Sequence, residues 1–279
     1  MTMQRSLVIA AAIALLAVLA PSPSQATSPE WAPAATAPIH PGVQTRSDSG
    51  QCTSNFVFYA GSEVYIGQSA HCTGLGAATD TNGCNAGSLP LGSEVRVGGA
   101  TEPGTLAYSS WLTMQRVDEG DTNTCRYNDF ALVRLDPADH GRVNPSIPVY
   151  GGPVALGATT SFGEDVYSYG NSSLRFGIHT LSPKTGVSLG QGSGDWNHPV
   201  YTASPGIPGD SGSAFLSSDG SAMGSLSTLA LAPLAGSNGV TDLDRAVAYL
   251  HAHGGLGEVQ LALGTEPFRP SLVGLVPLG

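Results

Sequence analysis

From Asn55 onward the chain is built of short stretches rich in β-branched and aromatic residues, most of them cut off by glycine, proline, asparagine or aspartate. NFVFYAG, EVYIG, SEVRVGG, TLAYSSWLTMQRV and FALVRL come first, followed by PVYGG, DVYSYG, SLRFGIHTL, TGVSLG, HPVYTA and GSAFLSSDGSAMGSLSTLAL. Many short strands at regular spacing point to an all-β sandwich or barrel, and Asp219-Gly220 is a strong hairpin-turn signal. Hydrophobic residues make up 41% of the 279-residue chain, enough for a packed core in one large domain or two small ones. One helix stands out. Thr241-Asp242-Leu243-Asp244 fits a capping box ahead of AVAYLHAH, and Gly254-Gly255 ends it. Leu243, Val247 and Leu250 fall near one face, which predicts a helix packed on a β core.

The N-terminus sets the compartment. Arg5 precedes an uninterrupted apolar run from Leu7 to Ala20, and Ser24-Gln25-Ala26 offers small residues at a cleavage site. The run falls short of the roughly 20 residues that a bilayer crossing needs. Residues 1–26 therefore read as a signal peptide, and the mature protein is expected to be secreted and extracellular, away from the membrane. Residues 27–50, rich in Pro, Ala, Ser and Thr, read as a flexible leader or short pro-segment, and 256–279 as a Gly- and Pro-rich tail. In an exported chain Cys52, Cys72, Cys84 and Cys125 are expected to pair, and three connectivities are open. No C-x-x-C spacing supports zinc, so neither a metal nor another cofactor is expected. The net charge of −10, with 11 basic residues of which only Lys184 is a lysine, argues against nucleic acid. A monomer is the expected form.

Three segments carry chemistry. PGIPGDSGSAFL places Ser211 beside Asp210 and close to glycines that can bring backbone N–H groups up to a reacting oxygen. His71 in GQSAHC follows the apolar stretch EVYIG and abuts Cys72. Asp129 in YNDFALVRL heads an apolar strand, where burying an acid is costly unless it accepts hydrogen bonds. The set runs His, Asp, Ser along the chain, which is neither the α/β-hydrolase nor the subtilisin order. The G-x-S-x-G elbow also fails, because Ser213 stands where the second glycine would be.

With these residues in place the sequence resembles a secreted trypsin/chymotrypsin-like serine protease of the bacterial, actinobacterial type. QCTSNFVF, SAHC, NDFALVRL, PGDSGS and the C-terminal helix carry the resemblance over about 50–253. It implies two antiparallel six-stranded β-barrels with a C-terminal helix: 51–145 carrying His71 and Asp129, and 146–255 carrying Ser211. It also implies a Cys52–Cys72 bridge beside the histidine, leaving Cys84 with Cys125. The implied activity is hydrolysis of peptides or proteins: Ser211 as nucleophile, His71 as base, Asp129 as its orienting acid, and the N–H groups of Gly209 and Ser211 as the oxyanion hole. A silent binding module on the same fold and an esterase with the same triad are the alternatives.

The sequence departs from the family pattern at several places. Ser213 replaces the last glycine of G-D-S-G-G. Six residues before Ser211, Pro205 falls at the base of the primary pocket, where a preference for Lys or Arg would want an acid; Asp195 is a weakly placed substitute. Ser227 matches the serine of the substrate-binding strand, and Leu229 sits where glycine is common. These residues predict a narrowed pocket for small or medium apolar side chains. No Arg-Ile-Val-Gly stretch supplies a new N-terminus to pair with Asp210, so Arg142 or Arg175 is expected to do so. Asp118, Glu119 and Asp121 read as a solvated acidic loop, and Asn171-Ser172-Ser173 as an incidental glycosylation triplet.

Overall fold

A computed structural model describes residues 29–77, 81–157, 159–230 and 235–270. The predicted signal peptide lies outside the described residues. The first unit comprises β1 (Gln44–Ser47), β2 (Gly50–Thr53), β3 (Val57–Ala60), β4 (Glu63–Gln68), β5 (Glu94–Val97), β6 (Gly104–Ser109) and β7 (Ala131–Arg134). Two short helices, α1 (Ser110–Arg116) and α2 (Thr122–Tyr127), bridge β6 to β7. The second unit comprises β8 (Asp165–Tyr169), β9 (Pro183–Ser188), β10 (Asn197–Thr202), β11 (Ala214–Leu216), β12 (Ala222–Ala230) and β13 (Ser237–Asp242). The helix α3 (Leu243–His253) and the short β14 (Gln260–Leu261) follow.

The second unit is a closed antiparallel barrel in the order β10-β13-β12-β11-β8-β9. The first has the order β14-β3-β4-β7-β6-β5-β1-β2. Its two ends meet, because β2 and β3 are two stretches of one bent strand. Ser54 N–H still bonds Val43 O on the β1 side at 2.9 Å, and Asn55 N–H already bonds Gly67 O on the β4 side at 2.8 Å. Counted as one, that strand closes six around the ring, and β14 lies outside it against β3.

The runs of β3, β4 and β7 lack a clean polar alternation because these strands are buried on both faces, whereas β5 alternates exposed Glu94 and Arg96 with buried Val95 and Val97. In β3 and β4, Val57, Tyr59, Val64 and Ile66 point into the first barrel. Phe58 and Tyr65 between them pack with Leu216, Leu243 and Leu250, in a core shared between the barrels and α3. Each fully buried Phe or Leu there contributes about 1.5–3 kcal/mol. Val166, Val200, Phe215, Met223 and Val240 fill the second barrel. β3 turns into β4 through Gly61-Ser62, and Gly61 adopts the left-handed φ of +59° that such a two-residue turn requires.

The structure corrects several expectations. TLAYSSWLTMQRV is strand only to Ser109, then α1, which buries Trp111 and Met114 one turn apart. SLRFGIHTL is not a strand but two single-turn 3-10 segments that leave Leu174, Phe176 and Ile178 exposed. Asp121 in the acidic loop caps α2, accepting from Thr124 N at 2.7 Å. The α3 cap is Asp242 rather than Thr241: its side chain accepts from Arg245 N at 2.8 Å, while Thr241 belongs to β13. Leu243, Val247 and Leu250 are buried as their spacing predicts. The segment read as a flexible leader is ordered over 29–50: Ile39 is fully buried in the first barrel and β1 pairs with both β2 and β5. The tail is likewise tied down through β14 and Phe268, which packs on Tyr167.

Candidate active site

His71 sits on a single 3-10 turn, Ala70–Thr73, immediately after β4. Cys72 in that turn is bonded to Cys52 of β2, so the histidine's backbone is stapled to the neighbouring strand. Cys84–Cys125 is the second bridge and ties α2 to the 82–86 loop. Asp129 heads β7, next to β4 in the sheet, which brings it beside His71 across 58 residues of sequence. Its Oδ1 accepts the His71 backbone N–H at 2.9 Å, and its Oδ2 meets His71 Nδ1 at 2.6 Å. Ser227 Oγ donates to the same Oδ2 at 2.6 Å. The strand register explains this last contact: Ser227 is the bulged residue of β12, between the Leu226↔Val240 and Thr228↔Gly239 pairs, so its side chain swings out of the ladder toward the first barrel. Ser227 therefore supports the acid, a role beyond the substrate-strand position expected of it.

The electrostatics follow from this packing. Burial alone would push Asp129 up, but the His71 ring and the hydrogen bonds from His71 and Ser227 outweigh it and hold the carboxyl below the ordinary carboxylate range. Burial alone would lower His71; the Asp129 charge and hydrogen bond overcome it and leave the imidazole above its usual value. The His71 side chain keeps 26% exposure through its cleft edge.

Ser211 approaches from the second barrel on the 207–213 loop. Gly212, at φ +87°, makes the approach possible, because a Cβ there would lie 2.5 Å from Thr53 O. His71, Asp129, Gly209, Ser211, Ser227 and Leu229 all line one cleft of about 710 Å³ between the barrels. No hydrogen bond joins the Ser211 hydroxyl to the His71 ring. In unliganded sites such links are often long and tighten with substrate.

The backbone of the loop sorts itself by direction. Asp210, Gly212 and Ser213 N–H bond to Ile207 O, Leu226 O and Asp210 O. Among the described residues no acceptor takes the N–H of Gly209 or of Ser211, the two groups expected to bind an oxyanion. Asp210 beneath them is fully buried and satisfied. Arg175 Nη2 and Lys184 Nζ lie 2.6 Å and 3.1 Å from its Oδ2, and the N–H groups of Ser172 and Ile207 donate to its carboxylate. Burial would raise this acid, but Arg175 and Lys184 outweigh it and hold it below its ordinary value. Of the two arginines expected here, Arg175 is the partner; Arg142 pairs with Asp139. Lys184 was missed as a partner, although a lone lysine in so uncharged a chain was a usable signal.

The specificity residues are only partly brought together. Pro205 does not line the cleft: its carbonyl turns toward the buried Lys184 ammonium, 3.4 Å away. The wall is formed instead by Gly206, Ile207, Leu226 and Leu229, with Asn238 beside them. Asn238 Oδ1 accepts Gly206 N–H at 2.9 Å, and nothing in its sequence surroundings marks it. Leu229 stays exposed at the rim. Asp195 lies elsewhere, paired with Arg245 on the surface. Ser213 is fully buried with its hydroxyl unpaired. The Asn171 amide bonds Gly42 O at 2.9 Å, a structural use of the supposed glycosylation triplet.

No protein-family model matches the sequence, and no curated protein matches it. Solved structures do match. Thermobifida fusca protease A is similar with a TM-score of 0.52 at 16% identity, over 81% of this chain and 99% of that one. A Glu endopeptidase is similar with a TM-score of 0.50 at 14% identity, over 76% of this chain and 89% of that one. At such identities the likeness speaks for the fold, and it agrees with the two barrels, the inter-barrel cleft and the C-terminal helix: the chain has the fold of the chymotrypsin-like serine proteases.

Proposed function

We propose that this protein is a secreted serine endopeptidase acting through Ser211, His71 and Asp129. One observation carries the reading. A nucleophile, an imidazole held by a buried carboxylate at 2.6 Å, and two unengaged N–H groups meet in one cleft between two barrels. In this mechanism His71 takes the proton of Ser211 as its oxygen attacks the carbonyl carbon. Asp129 keeps Nδ1 protonated and stabilises the imidazolium that forms, and the N–H groups of Gly209 and Ser211 receive the developing oxyanion. His71 then returns the proton to the leaving amine, and water releases the acyl group from Ser211 by the reverse path. The apolar wall of Ile207, Leu226 and Leu229 favours uncharged side chains of small or medium size on the acyl side. Peptide or protein substrates follow from the open cleft, and export from the apolar N-terminal run together with two disulfides. Among the described residues no helix is long and apolar enough to cross a membrane.

The second reading is a silent binding module, favoured by the open Ser211–His71 link. Labelling with a fluorophosphonate probe and mapping the adduct separates the two. Modification of Ser211 that depends on His71 supports the protease; a folded, disulfide-intact sample that stays unlabelled overturns it.

A further inference from the structure

We infer that Ser172 is a positioning residue for the oxyanion hole: its hydroxyl holds the Pro208 carbonyl and thereby aims the Gly209 N–H into the cleft. The inference rests on the protease reading for its consequence, and on hydrogen bonding alone for its geometry.

A trans peptide unit points its C=O and N–H in opposite directions, so whatever holds a carbonyl orients the following N–H. Each of the two unengaged N–H groups follows a held carbonyl. Asp210 O accepts Ser213 N–H at 3.0 Å, which turns the Ser211 N–H the other way. Pro208 O accepts Ser172 Oγ at 2.6 Å, which turns the Gly209 N–H away from Ser172. The first restraint is backbone to backbone and any sequence could make it. The second needs a side chain, and Ser172 is committed to it. Its hydroxyl already accepts the Leu174 N–H at 3.1 Å, so its one proton goes to Pro208 O. Ser172 is only 2% exposed, and its backbone N–H is held by Asp210 Oδ1 at 3.0 Å. The far side of Gly209 is pinned as well, since its carbonyl accepts from Thr53 Oγ1 at 2.8 Å and Gln51 Nε2 at 3.0 Å. Without the Ser172 hydroxyl, Pro208 O loses its donor, and rotation of the Pro208–Gly209 peptide would replace a donor in the hole by a carbonyl oxygen.

The test compares the full secreted chain with Ser172→Ala and Ser172→Thr. A succinyl-capped Ala-Ala-Pro-Ala p-nitroanilide reads turnover, and the matching peptide aldehyde, whose hemiacetal oxygen occupies the hole, reads oxyanion binding. In Ser172→Ala we expect kcat to fall on the order of 10- to 100-fold with KM within about twofold, and the aldehyde inhibition constant to rise by a similar factor. Ser172→Thr, which keeps the hydroxyl, should restore both. A merely structural role would move KM and the melting temperature with kcat. That pattern, an unmoved aldehyde constant, or Ser172→Ala with unaltered kcat each overturns the inference. If the wild-type chain turns over nothing and takes no fluorophosphonate, it is the protease reading that fails. A crystal structure of Ser172→Ala then decides the geometry: a rotated Pro208–Gly209 peptide supports the inference and an unrotated one overturns it.

Discussion

The first barrel brings to the cleft a His–Asp pair fixed by covalent staples, whereas the second brings the loop that carries Ser211, fixed by buried charge. Cys52–Cys72 anchors the turn that carries His71, and Cys84–Cys125 anchors the segment leading to Asp129. Neither bridge reaches the second barrel. There the 207–213 loop rests on Asp210, with Arg175 and Lys184 on one carboxylate oxygen. The two solutions respond to different conditions. A disulfide constrains the unfolded chain and is indifferent to moderate pH, whereas a buried ion cluster is costly to desolvate and becomes destabilising once one member is removed.

That contrast can be broken at several points. The largest effect is expected from Ser211→Ala, which should lower turnover on the order of 10^6-fold while the melting temperature stays put. Retained activity would remove the second barrel's catalytic share altogether. Asp129→Asn should cost about 10^4-fold in kcat. In the wild type the imidazole sits above its ordinary value, so kcat/KM should fall on acidification with a midpoint above about 6.5, where His71 takes the proton it must leave free. Asp129→Asn should move that midpoint down; an unmoved acid limb would mean the pair does not act as a unit.

Asp210→Asn leaves two buried cations without a counter-charge and should destabilise by about 3–5 kcal/mol, read by chemical denaturation. The sign of the pH effect follows from the depressed carboxyl. The stabilisation is complete above the ordinary value of about 3.9 and is lost as pH falls through the lower folded value. Asp129 loses its charge in the same acid range, but Cys52–Cys72 still holds the neighbouring turn, so hydrogen exchange below about pH 4 should open the 207–213 segment before the stapled turn at His71; simultaneous opening would erase the contrast. Replacing Cys84 and Cys125 together by alanine should cost about 4 kcal/mol, with exchange rising in the first barrel only. The smallest effect is expected from Leu229→Gly, which should widen the rim and shift a peptide-library profile a few-fold toward larger side chains.

How much of this was legible differs between fold and site. Strands β3, β4 and β7 of the first barrel read as continuous apolar runs because alternate residues serve two cores, Val57 and Tyr59 one and Phe58 the other. The α1 helix hid inside such a run, since Trp111 and Met114 satisfy a helical spacing only once the strand has ended at Ser109. His71, Asp129 and Ser211, which the fold brings to one cleft, could be picked out as candidates because each sits in a local motif whose neighbours have their own physical reasons. Pro205 was misplaced because counting along the chain cannot see its carbonyl turning to Lys184.

The sequence by itself determined the class of fold and pointed to His71, Asp129 and Ser211 as the candidate site, because these depend on side-chain chemistry and local backbone freedom. Only the tertiary structure decided which cations meet Asp210, how the bulge at Ser227 reaches Asp129, that Asn238 lies beside the pocket wall, and which way the Pro208–Gly209 peptide faces. Each of these is a contact between groups far apart in sequence. Its energy exists only after the barrels have closed and excluded water, so no local pattern records it.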